Sequence, residues 1–413
     1  MKFEHNVRQY PWYRFFRDCN FWGPAFFLYF TSVLTLEQAL WLESIYYVAV
    51  AALEVPSGYI SDRFGRKYTL VFSSASLALA FFIFFVGNDF ATFALAQLFL
   101  ACGYASASGT DTALHFESLK ELKREDEYTR GEARALKFSF RAGAVGALGG
   151  GLLALGQLNW IHGASCLSAL ISMVIALTFK EPPMGRAGMP MGPQVKQLVR
   201  KSLSQRFRFF TFFTLGMTLL LHFPYEFYQP YLDRVMEGLG HTSKMTPLVT
   251  GFHLAATALV GSYCTRFARN ITHGCEIRRI LMATTLFQVL LIGLMAAVVH
   301  PVIVVLLAGR TLARAISTPL VNAQVSPLLH RNERSTYLSI QSLFGRLGYG
   351  LSLVLLPLGS RLFTDGLTGS LFWAATVGAG LLLVLKFTPS PATAHCCKGH
   401  PHGCDPNAHT HPL

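Results

Sequence analysis

Five ionisable side chains lie within apolar stretches of the first half of the chain: Glu43, Glu54, Asp111, His115 and Arg141. Burying an ionisable group in such a stretch is costly, so it marks either a functional site or a structural ion pair. A carboxyl group whose pKa responds to its surroundings can take up and release a proton. We therefore interpret Glu54 and Asp111 as candidates for carrying a coupling proton. Arg141 is a candidate partner of Asp111, and a structural bridge between the two explains the pattern equally well.

The apolar stretches of the second half carry mainly cationic and aromatic candidates: His222, Tyr225, Glu226, Arg310, Arg314 and Arg346. His222 and Glu226 are four residues apart and therefore share one face of a helix. Glu226 alone cannot neutralise three guanidinium groups, which stay protonated in proteins. The arginines must pair with acids from the first half, as helix-packing bridges, or face an anionic ligand. The second alternative predicts substrate-binding residues for a compound with a carboxylate or similar group.

Long apolar helices are needed to position these residues, and the composition favours such helices. Of 413 residues, 52% are hydrophobic and 14% are charged, whereas an average soluble domain has about 25% charged residues. The apolar runs have the length of helices that cross a bilayer, and they do not alternate as barrel strands do. The sequence therefore predicts an all-α membrane protein embedded in the lipid bilayer. Twelve spans are expected to begin near Phe15, Glu37, Thr69, Ala91, Ala133, Trp160, Phe209, Pro247, Arg279, Val302, Thr336 and Ser370.

The predicted spans form two groups of six, separated by a polar stretch that contains several prolines. We expect an N-terminal six-helix bundle over residues 1–180, a cytoplasmic central loop over 181–208, a C-terminal six-helix bundle over 209–388 and a tail over 389–413. Lys and Arg concentrate in alternate loops, which predicts a multi-pass protein of the inner membrane with both termini in the cytoplasm. The same asymmetry accounts for the net charge of +13 without nucleic acid as a partner.

The stretch GYISDRFGRK, residues 58–67, places four charges between the second and third predicted spans. Gly, Arg, Phe and Arg recur at the same spacing in residues 261–270, as expected of a transporter built from repeated halves. This stretch resembles the loop signature of the major facilitator superfamily. The segments LEVPSG (53–58) and GTDTALHFESL (109–119) also resemble the corresponding segments of its members. The resemblance covers about residues 10–388. It implies the superfamily's fold of twelve transmembrane helices in two pseudo-symmetric bundles, and secondary transport by alternating access.

The resemblance also implies a gate on the cytoplasmic side, formed by Gly58, Asp62, Arg63, Gly65, Arg66, Lys67 and Glu117. Asp62 is expected to lie against the start of the eleventh helix near Thr336, because a helix N-terminus carries a partial positive charge. Arg66 is expected to pair with Glu117 at the end of the fourth helix. Such contacts hold the gate shut and break when it opens, so the two states differ by only a few kcal/mol.

The chain ends in AHCCKGHPHGCDPNAHTHPL, with eight side chains of metal-ligand type: His395, Cys396, Cys397, His400, His402, Cys404, His409 and His411. Thiols stay reduced in the cytoplasm, and imidazole and thiolate groups suit zinc, copper or nickel. We interpret the segment as a flexible tail that binds a transition metal, although its spacing matches no defined zinc finger. The alternative is an unselected, disordered end. No other cofactor is expected.

The leading hypothesis is a monomeric, proton-coupled secondary transporter that exports a small amphiphilic or anionic organic compound. The tail raises an alternative, transport of a transition metal or a metal chelate, and import of a nutrient is a third. A membrane enzyme or a receptor built on the same fold would be a different class. The sequence contains no P-loop, nucleophile elbow or HExxH helix, so we do not expect an enzyme.

Overall fold

The computed structural model describes residues 3–183, 189–238, 246–266, 276–360 and 366–389, and it builds these residues into α-helices joined by turns and short 3₁₀ segments. The helices before the central loop are α1 (Glu4–Asp18), α2 (Phe26–Val33), α3 (Leu36–Phe64), α4 (Arg66–Val86), α5 (Phe90–Ala107), α6 (Thr110–Glu121), α7 (Tyr128–Leu153) and α8 (Trp160–Thr178). The central loop and the second half contain α9 (Met191–Leu203), α10 (Arg208–Gly238), α11 (Thr246–Cys264), α12 (Ile277–Ala297), α13 (Pro301–Leu307), α14 (Leu312–Val325), α15 (Arg334–Ser360) and α16 (Gly366–Phe387).

Six segments of the described residues are long and apolar enough to cross a membrane: Arg66–Val86, Phe90–Glu121, Trp160–Thr178, Ile277–Ala297, Pro301–Leu328 and Thr368–Phe387. A seventh is added if the bent pair Met191–Leu203 and Arg208–Pro224 forms one span. Large apolar side chains such as Phe72, Leu167 and Val305 lie exposed on the outer surface of these helices. Because so much exposed apolar surface is unfavourable in water, the protein is a multi-pass membrane protein.

Three of the predicted spans are interrupted rather than continuous. The first is divided between α1 and α2, and Pro24, which has no N–H to donate, lies in the gap. The fourth is divided between α5 and α6 at Gly109. The tenth contains a 3₁₀ turn, Ala308–Thr311, between α13 and α14. Helix α1 begins at Glu4, before the expected start of the first span near Phe15, and buries Asn6, Tyr10 and Tyr13.

The helices pack in two groups that meet along two seams. In the first group α4 packs against α5 and α8, and α3 packs against α5; in the second, α10 packs against α15, and α12 against α16. One seam joins α7 to α11 through the small side chains of Ala144, Ala147, Ala255 and Ala258. Small residues let two helices approach closely without any polar contact. The other seam joins α3 to α15 and carries ionic contacts.

The central loop contains an amphipathic helix, α9, which packs against the second group. Leu198 is buried in a cluster with Phe207 and Phe210, and Gln194 donates a hydrogen bond to the carbonyl of Asn332 at 2.9 Å. Arg200 and Lys201 lie in the last turn of α9, where cations suit the helix dipole. The central loop is thus attached to the turn that precedes α15.

Candidate functional site

Asp62, at the end of α3, binds the first turn of α15. Its carboxylate accepts hydrogen bonds from the backbone N–H groups of Ser335 (3.2 Å) and Thr336 (2.9 Å) and from the hydroxyl of Thr336 (2.9 Å). The first N–H groups of a helix have no partner within the helix and form the positive end of its dipole. The predicted placement of Asp62 against the helix that begins near Thr336 is therefore confirmed, and this contact joins the two helix groups.

Glu117, near the end of α6, is completely buried and binds two arginines from the second group. Arg331 and Arg334 both donate to its carboxylate oxygens. The guanidinium group of Arg334 also lies over the ring of Phe116, 4.0 Å from its centroid. A buried carboxylate needs such partners, because an unpaired charge in this environment is strongly destabilising.

The expected pair between Arg66 and Glu117 is wrong. The guanidinium group of Arg66 donates to Asp62 at 2.9 Å and to the carbonyl of Arg331 at 2.6 Å. Asp62 and Arg66 are four residues apart, on either side of the turn between α3 and α4, which brings their side chains together. The resulting contacts link α3, α4 and α6 with the start of α15. We call this set of five residues the rim latch: Asp62, Arg66, Glu117, Arg331 and Arg334.

Two glycines of the motif allow the rim latch to form. A Cβ atom at Gly58 would lie 2.6 Å from the Oγ atom of Ser339 and 3.1 Å from the carbonyl oxygen of Ser335, so a larger residue would separate α3 from α15. Gly65 has a φ of 114°, which side chains other than glycine rarely adopt, and it makes the turn between α3 and α4. These positions explain both glycines of the signature.

Glu181, which follows α8, caps the start of α4. Its carboxylate accepts hydrogen bonds from the backbone N–H groups of Arg66 (3.0 Å) and Lys67 (2.7 Å).

The exposed side chain of Arg63 donates to the hydroxyl of Tyr59 at 2.7 Å, within its own helix. Among the basic side chains of the motif, Arg66 reaches the second helix group, whereas the described contacts of Arg63 stay within the first.

The loop between α6 and α7 is tied to the start of α1. Arg124 donates to Glu4 at 2.6 Å and to Glu127 at 2.7 Å. The hydrogen bond from Arg124 holds the pKa of Glu127 below its usual value. Because all three side chains are more than one third exposed, these pairs add little to stability. Their effect is local: they connect the first turn of α1 to the loop that follows α6, the helix that carries Glu117 of the rim latch.

A cluster of charges lies deeper in the first group, around Asp111 in the first turn of α6. The Oδ2 atom of Asp111 accepts hydrogen bonds from Arg14 (2.9 Å) and Arg17 (2.6 Å), and Asp18 lies 2.8 Å from Arg17 and 3.4 Å from Arg14. The expected pair between Asp111 and Arg141 is wrong. Helix α1 packs against both α6 and α7 and brings its own arginines to Asp111, whereas Arg141 is exposed on α7.

Arg314 on α14 approaches this cluster from the second helix group. Its guanidinium group lies within electrostatic range of Arg14, Arg17 and Asp18, and the residue is exposed on α14. Three arginines therefore face two carboxylates, which leaves one positive charge in excess. Asp111 is ten residues from the end of α6, or about 15 Å of helix, so this charge lies well inside the bundle. Such a surface attracts an anionic group that can contact both helix groups.

A second ion pair crosses the seam between α3 and α15. The Nε atom of Arg346 lies 3.1 Å from the Oε2 atom of Glu54, whose side chain is completely buried. Tyr46 contacts the same guanidinium group. An acid of the first half therefore neutralises Arg346, which is one of the two alternatives that the sequence left open. The pair also joins a proton-coupling candidate to a substrate-binding candidate.

The remaining candidates of the second half have local contacts. The Nδ1 atom of His222 lies 2.7 Å from the carbonyl oxygen of Thr218 on the same helix, and its ring lies 4.8 Å from that of Tyr349. Arg310 is buried in the 3₁₀ turn between α13 and α14, close enough to His253 to interact electrostatically. Two candidates have side chains outside the described part of the chain: Tyr225 and Glu226.

The predicted metal-binding tail also lies outside the described residues, which end at residue 389. Within the described ranges, no group of three or more His, Cys, Asp or Glu side chains could hold a metal ion. The hypothesis of a metal-binding tail therefore stays a prediction.

Sequence reasoning missed the arginines and the aspartate of α1 and the two arginines that bind Glu117. Arg14, Arg17 and Asp18 are spaced three and four residues apart, so they share one helix face. That spacing was a usable signal, but a span that starts near Phe15 places the three residues at its edge, where charged side chains can reach water. Arg331 and Arg334 counted only as positive loop charges, because no sequence feature connects them to an acid more than 200 residues earlier.

Comparisons with known proteins agree with this architecture. Residues 14–352 match the family model described as the Major Facilitator Superfamily. Similar solved structures include the human organic anion transporter MFSD10 (TM-score 0.69, 13% identity, covering 93% of this chain and 100% of that one). A nucleoside transporter (0.68, 14%, 93% and 100%) and a D-xylose–proton symporter (0.66, 15%, 94% and 98%) are also similar. No curated protein sequence matches significantly. The family match spans most of the sequence, and the chain therefore belongs to the major facilitator superfamily.

Proposed function

We propose that this protein is a proton-coupled secondary transporter for a small anionic or amphiphilic organic compound. The observation that carries the proposal is the pair of arginines on Asp111, Arg14 and Arg17, with Arg314 of the other helix group within electrostatic range, at a depth where positive charge is costly. A compound with a carboxylate or similar group would offset the excess charge and contact both groups at once. Its binding would therefore favour a state in which the two groups are close together.

The proposed architecture has twelve spans in two six-helix halves, residues 1–180 and 209–388. Helices α1 and α2 then form one span, as do α5 with α6 and α13 with α14. The rim latch faces the cytoplasm of a cell with this protein in its inner membrane, and both termini lie on the same side. Alternating access then requires the rim latch to break, and its contacts are hydrogen bonds and ion pairs near the rim, which water can replace.

The pair between Glu54 and Arg346 gives the transporter a contact that substrate can exchange. It crosses from α3 to α15, and Arg346 keeps 28% of its side-chain surface accessible. An anionic substrate could bind Arg346 while Glu54 remains buried, provided that another group compensates the carboxylate. The described residues thus place arginines at two sites between the helix groups, Arg314 near α1 and Arg346 near α3. Two such sites suit an elongated compound with an anionic end.

Two other functions are kept because separate observations favour them. The His- and Cys-rich tail favours transport of a transition metal or its chelate, although the arginines disfavour a bare cation inside the bundle. Import of a nutrient is favoured by the similar fold of a D-xylose–proton symporter, but at 15% identity that likeness concerns the fold alone. Export is the direction predicted from the sequence, and we retain it as the leading hypothesis.

A thermal-shift screen of the purified protein tests the substrate class. Aliphatic and aromatic carboxylates, neutral sugars, organic cations, metal ions and metal–citrate chelates would be compared. We expect carboxylates to raise the denaturation temperature of the wild type and to lose this effect in Arg314→Gln. The matched control is Arg134→Gln, which removes an exposed arginine of α7. Stabilisation by a cation or a neutral sugar, unchanged in Arg314→Gln, would contradict the proposed class.

The direction of transport is tested in membrane vesicles of opposite orientation with an imposed pH gradient. A proton-coupled exporter accumulates the stabilising carboxylate in inside-out vesicles that are acidic inside. Accumulation only in right-side-out vesicles that are acidic outside would instead establish import with protons. Cysteine labelling at Lys120, which is exposed beside the rim latch, tests whether this rim faces the cytoplasm.

A further inference from the structure

A buried histidine and a buried glutamate form a pair that the proposed function does not yet use. The Nδ1 atom of His115 on α6 lies 2.7 Å from the Oε1 atom of Glu132 on α7. Only 2% of His115 and 4% of Glu132 are accessible. Among the described residues, no lysine or arginine lies within ion-pair distance of Glu132. A buried carboxylate is costly unless it is paired and hydrogen-bonded. The partner of Glu132 is a group that can itself gain or lose a proton, which makes the pair a candidate functional site.

The surroundings fix the imidazole ring in place. The ring of Tyr10 stacks on it at 4.4 Å, and the ring of Tyr128 lies 5.5 Å away. A Cβ atom at Gly131 would lie 2.3 Å from the Cε1 atom of His115, so the ring packs directly against the backbone of α7. These contacts on several sides limit the rotation of the ring and keep Nδ1 directed at Glu132.

The two carboxyl groups selected from the sequence for proton coupling are less suitable. Asp111 accepts hydrogen bonds from two arginines and from the backbone N–H of Thr112 at 2.6 Å. Glu54 is paired with Arg346. Protonating Asp111 would displace hydrogen bonds from two arginines, and protonating Glu54, whose oxygens lie near Arg346 without a hydrogen bond, would weaken that ion pair. Glu132, in contrast, is hydrogen-bonded to an imidazole, which can itself take up and release a proton.

We propose that the His115–Glu132 pair binds the coupling proton. This inference rests on the proposed function, since it gives the proton of that transport cycle a site. In the unloaded pair, Nδ1–H of a neutral imidazole donates to the carboxylate, and the net charge is minus one. One proton from water binds at Nε2 and makes the pair neutral. The same proton returns to water on the other side of the membrane, so one proton is carried and no bond other than N–H changes.

The position of the pair explains how proton binding can affect the arginine cluster at Asp111 and the rim latch. Helix α6 carries Asp111 one turn before His115 and Glu117 half a turn after it. The hydroxyl of Tyr10 contacts Arg14 at 3.5 Å, and Tyr128 lies within electrostatic range of both Glu132 and Arg334. The titratable and charged groups around the pair, from all the elements that enclose it, are Tyr10, Arg14, Asp111, Glu117, Tyr128 and Arg334.

Loading the proton removes one negative charge from the space between the arginines of α1 and the rim latch. The attraction that the unloaded pair exerts on Arg14 and Arg334 is then lost. We expect the loaded state to release Arg14 toward an incoming anion and to loosen the contacts of Arg334. One unit of buried charge acting over about 10 Å at an effective dielectric constant of about 20 changes an equilibrium by roughly tenfold.

Nuclear magnetic resonance of the purified protein in nanodiscs, labelled with ¹⁵N-histidine, tests proton binding without any substrate. We expect the Nε2 signal of His115, assigned by its loss in His115→Gln, to titrate between about pH 5.5 and about pH 8.5. Glu132→Gln, which keeps a hydrogen-bond acceptor, should shift that titration. His162→Gln is the control, because His162 is equally buried but lies among aromatic rings. A ring that stays in one protonation state over this range would overturn the proposal.

Hydrogen exchange at the start of α15 tests the effect on the rim latch. After correction for intrinsic rates, we expect the amides of Ser335 and Thr336 to exchange roughly tenfold faster at about pH 5.5 than at about pH 8.5. This difference should disappear in Glu132→Gln and persist in His162→Gln. Equal exchange at both pH values in the wild type would contradict the coupling. Neither measurement involves an anion, so a protein that binds a proton here but no carboxylate would refute the proposed substrate class alone.

Discussion

Replacing Asp62 with Asn should open the rim latch. The substitution keeps the size of the side chain but removes the charge that faces Ser335, Thr336 and Arg66. A hydrogen bond to a charged group contributes about 1.5–3 kcal/mol, and a charge at a helix N-terminus contributes about 0.3–2 kcal/mol. In the open state, water hydrates the same groups and offsets part of both contributions. We therefore expect the closed state to lose about 2–4 kcal/mol, or roughly 30- to 1,000-fold in population.

The population of the open state can be measured by double electron–electron resonance. Spin labels at Lys120 and Gln205, in a background without cysteine, report the distance between the two helix groups, because both positions are exposed near the rim. If the closed state of the wild type is favoured by about 3 kcal/mol, the open population rises from about 0.6% to at least about 16% in Asp62→Asn.

The control for this experiment is Arg63→Gln in the same segment. Arg63 is exposed and contacts Tyr59 within its own helix, so its removal should leave the distance distribution unchanged. The reasoning is refuted if Asp62→Asn gives the wild-type distribution while the protein remains folded by circular dichroism. An equal change in Arg63→Gln would show that net charge in the loop matters, rather than the contact with α15.

Three further predictions address the seam and the tail. Gly58→Ala should also raise the open population in the resonance experiment, because its Cβ atom would lie 2.6 Å from Ser339; Ser339→Gly should partly restore closure, and no recovery would count against this contact. Arg346→Met should destabilise the protein by about 3 kcal/mol by leaving Glu54 buried without its partner; Glu54→Gln in the same chain should recover most of the loss in denaturation temperature, and additive losses would contradict the pair. Deleting the residues after Pro389 should abolish zinc binding measured by calorimetry, and unchanged binding would rule out the tail as the site.

The contact of Asp62 with the start of the eleventh helix was expected from the resemblance to the superfamily, and helix chemistry explains why that partner suits a carboxylate. A charge next to a glycine turn needs a partner, and the start of a helix offers N–H groups whatever its side chains are. The existence and approximate bounds of most helices could be predicted for a similar reason, since the length of an apolar run reflects the thickness of the bilayer. The bounds of a helix follow from one apolar run at a time, whereas the partner of Asp62 lies 274 residues away along the chain.

The partners of Asp111 and Glu117 could not be predicted, because they depend on how each helix is rotated. Successive residues of a helix differ in direction by about 100°, so a small rotation decides whether Asp111 faces α1 or the exposed side of α7. The first span, assigned to start near Phe15, placed Arg14 and Arg17 at its edge rather than beside Asp111. For Glu117, two arginines of a distant turn compete with Arg66, and Asp62 already holds Arg66.

The two seams between the helix groups differ in a way that suggests which one moves. The α7–α11 seam consists of small side chains such as Ala144 and Ala255, and packing of this kind changes little with the charge of a ligand or with proton binding. The α3–α15 seam contains the contacts of Asp62 and the pair of Glu54 with Arg346. A proton or an anion acts on charges, which the α3–α15 seam carries and the alanine contacts of the α7–α11 seam do not. The groups should therefore rotate about the α7–α11 seam while α3 and α15 separate at the rim, and labels placed across the first seam should show the smaller change in distance.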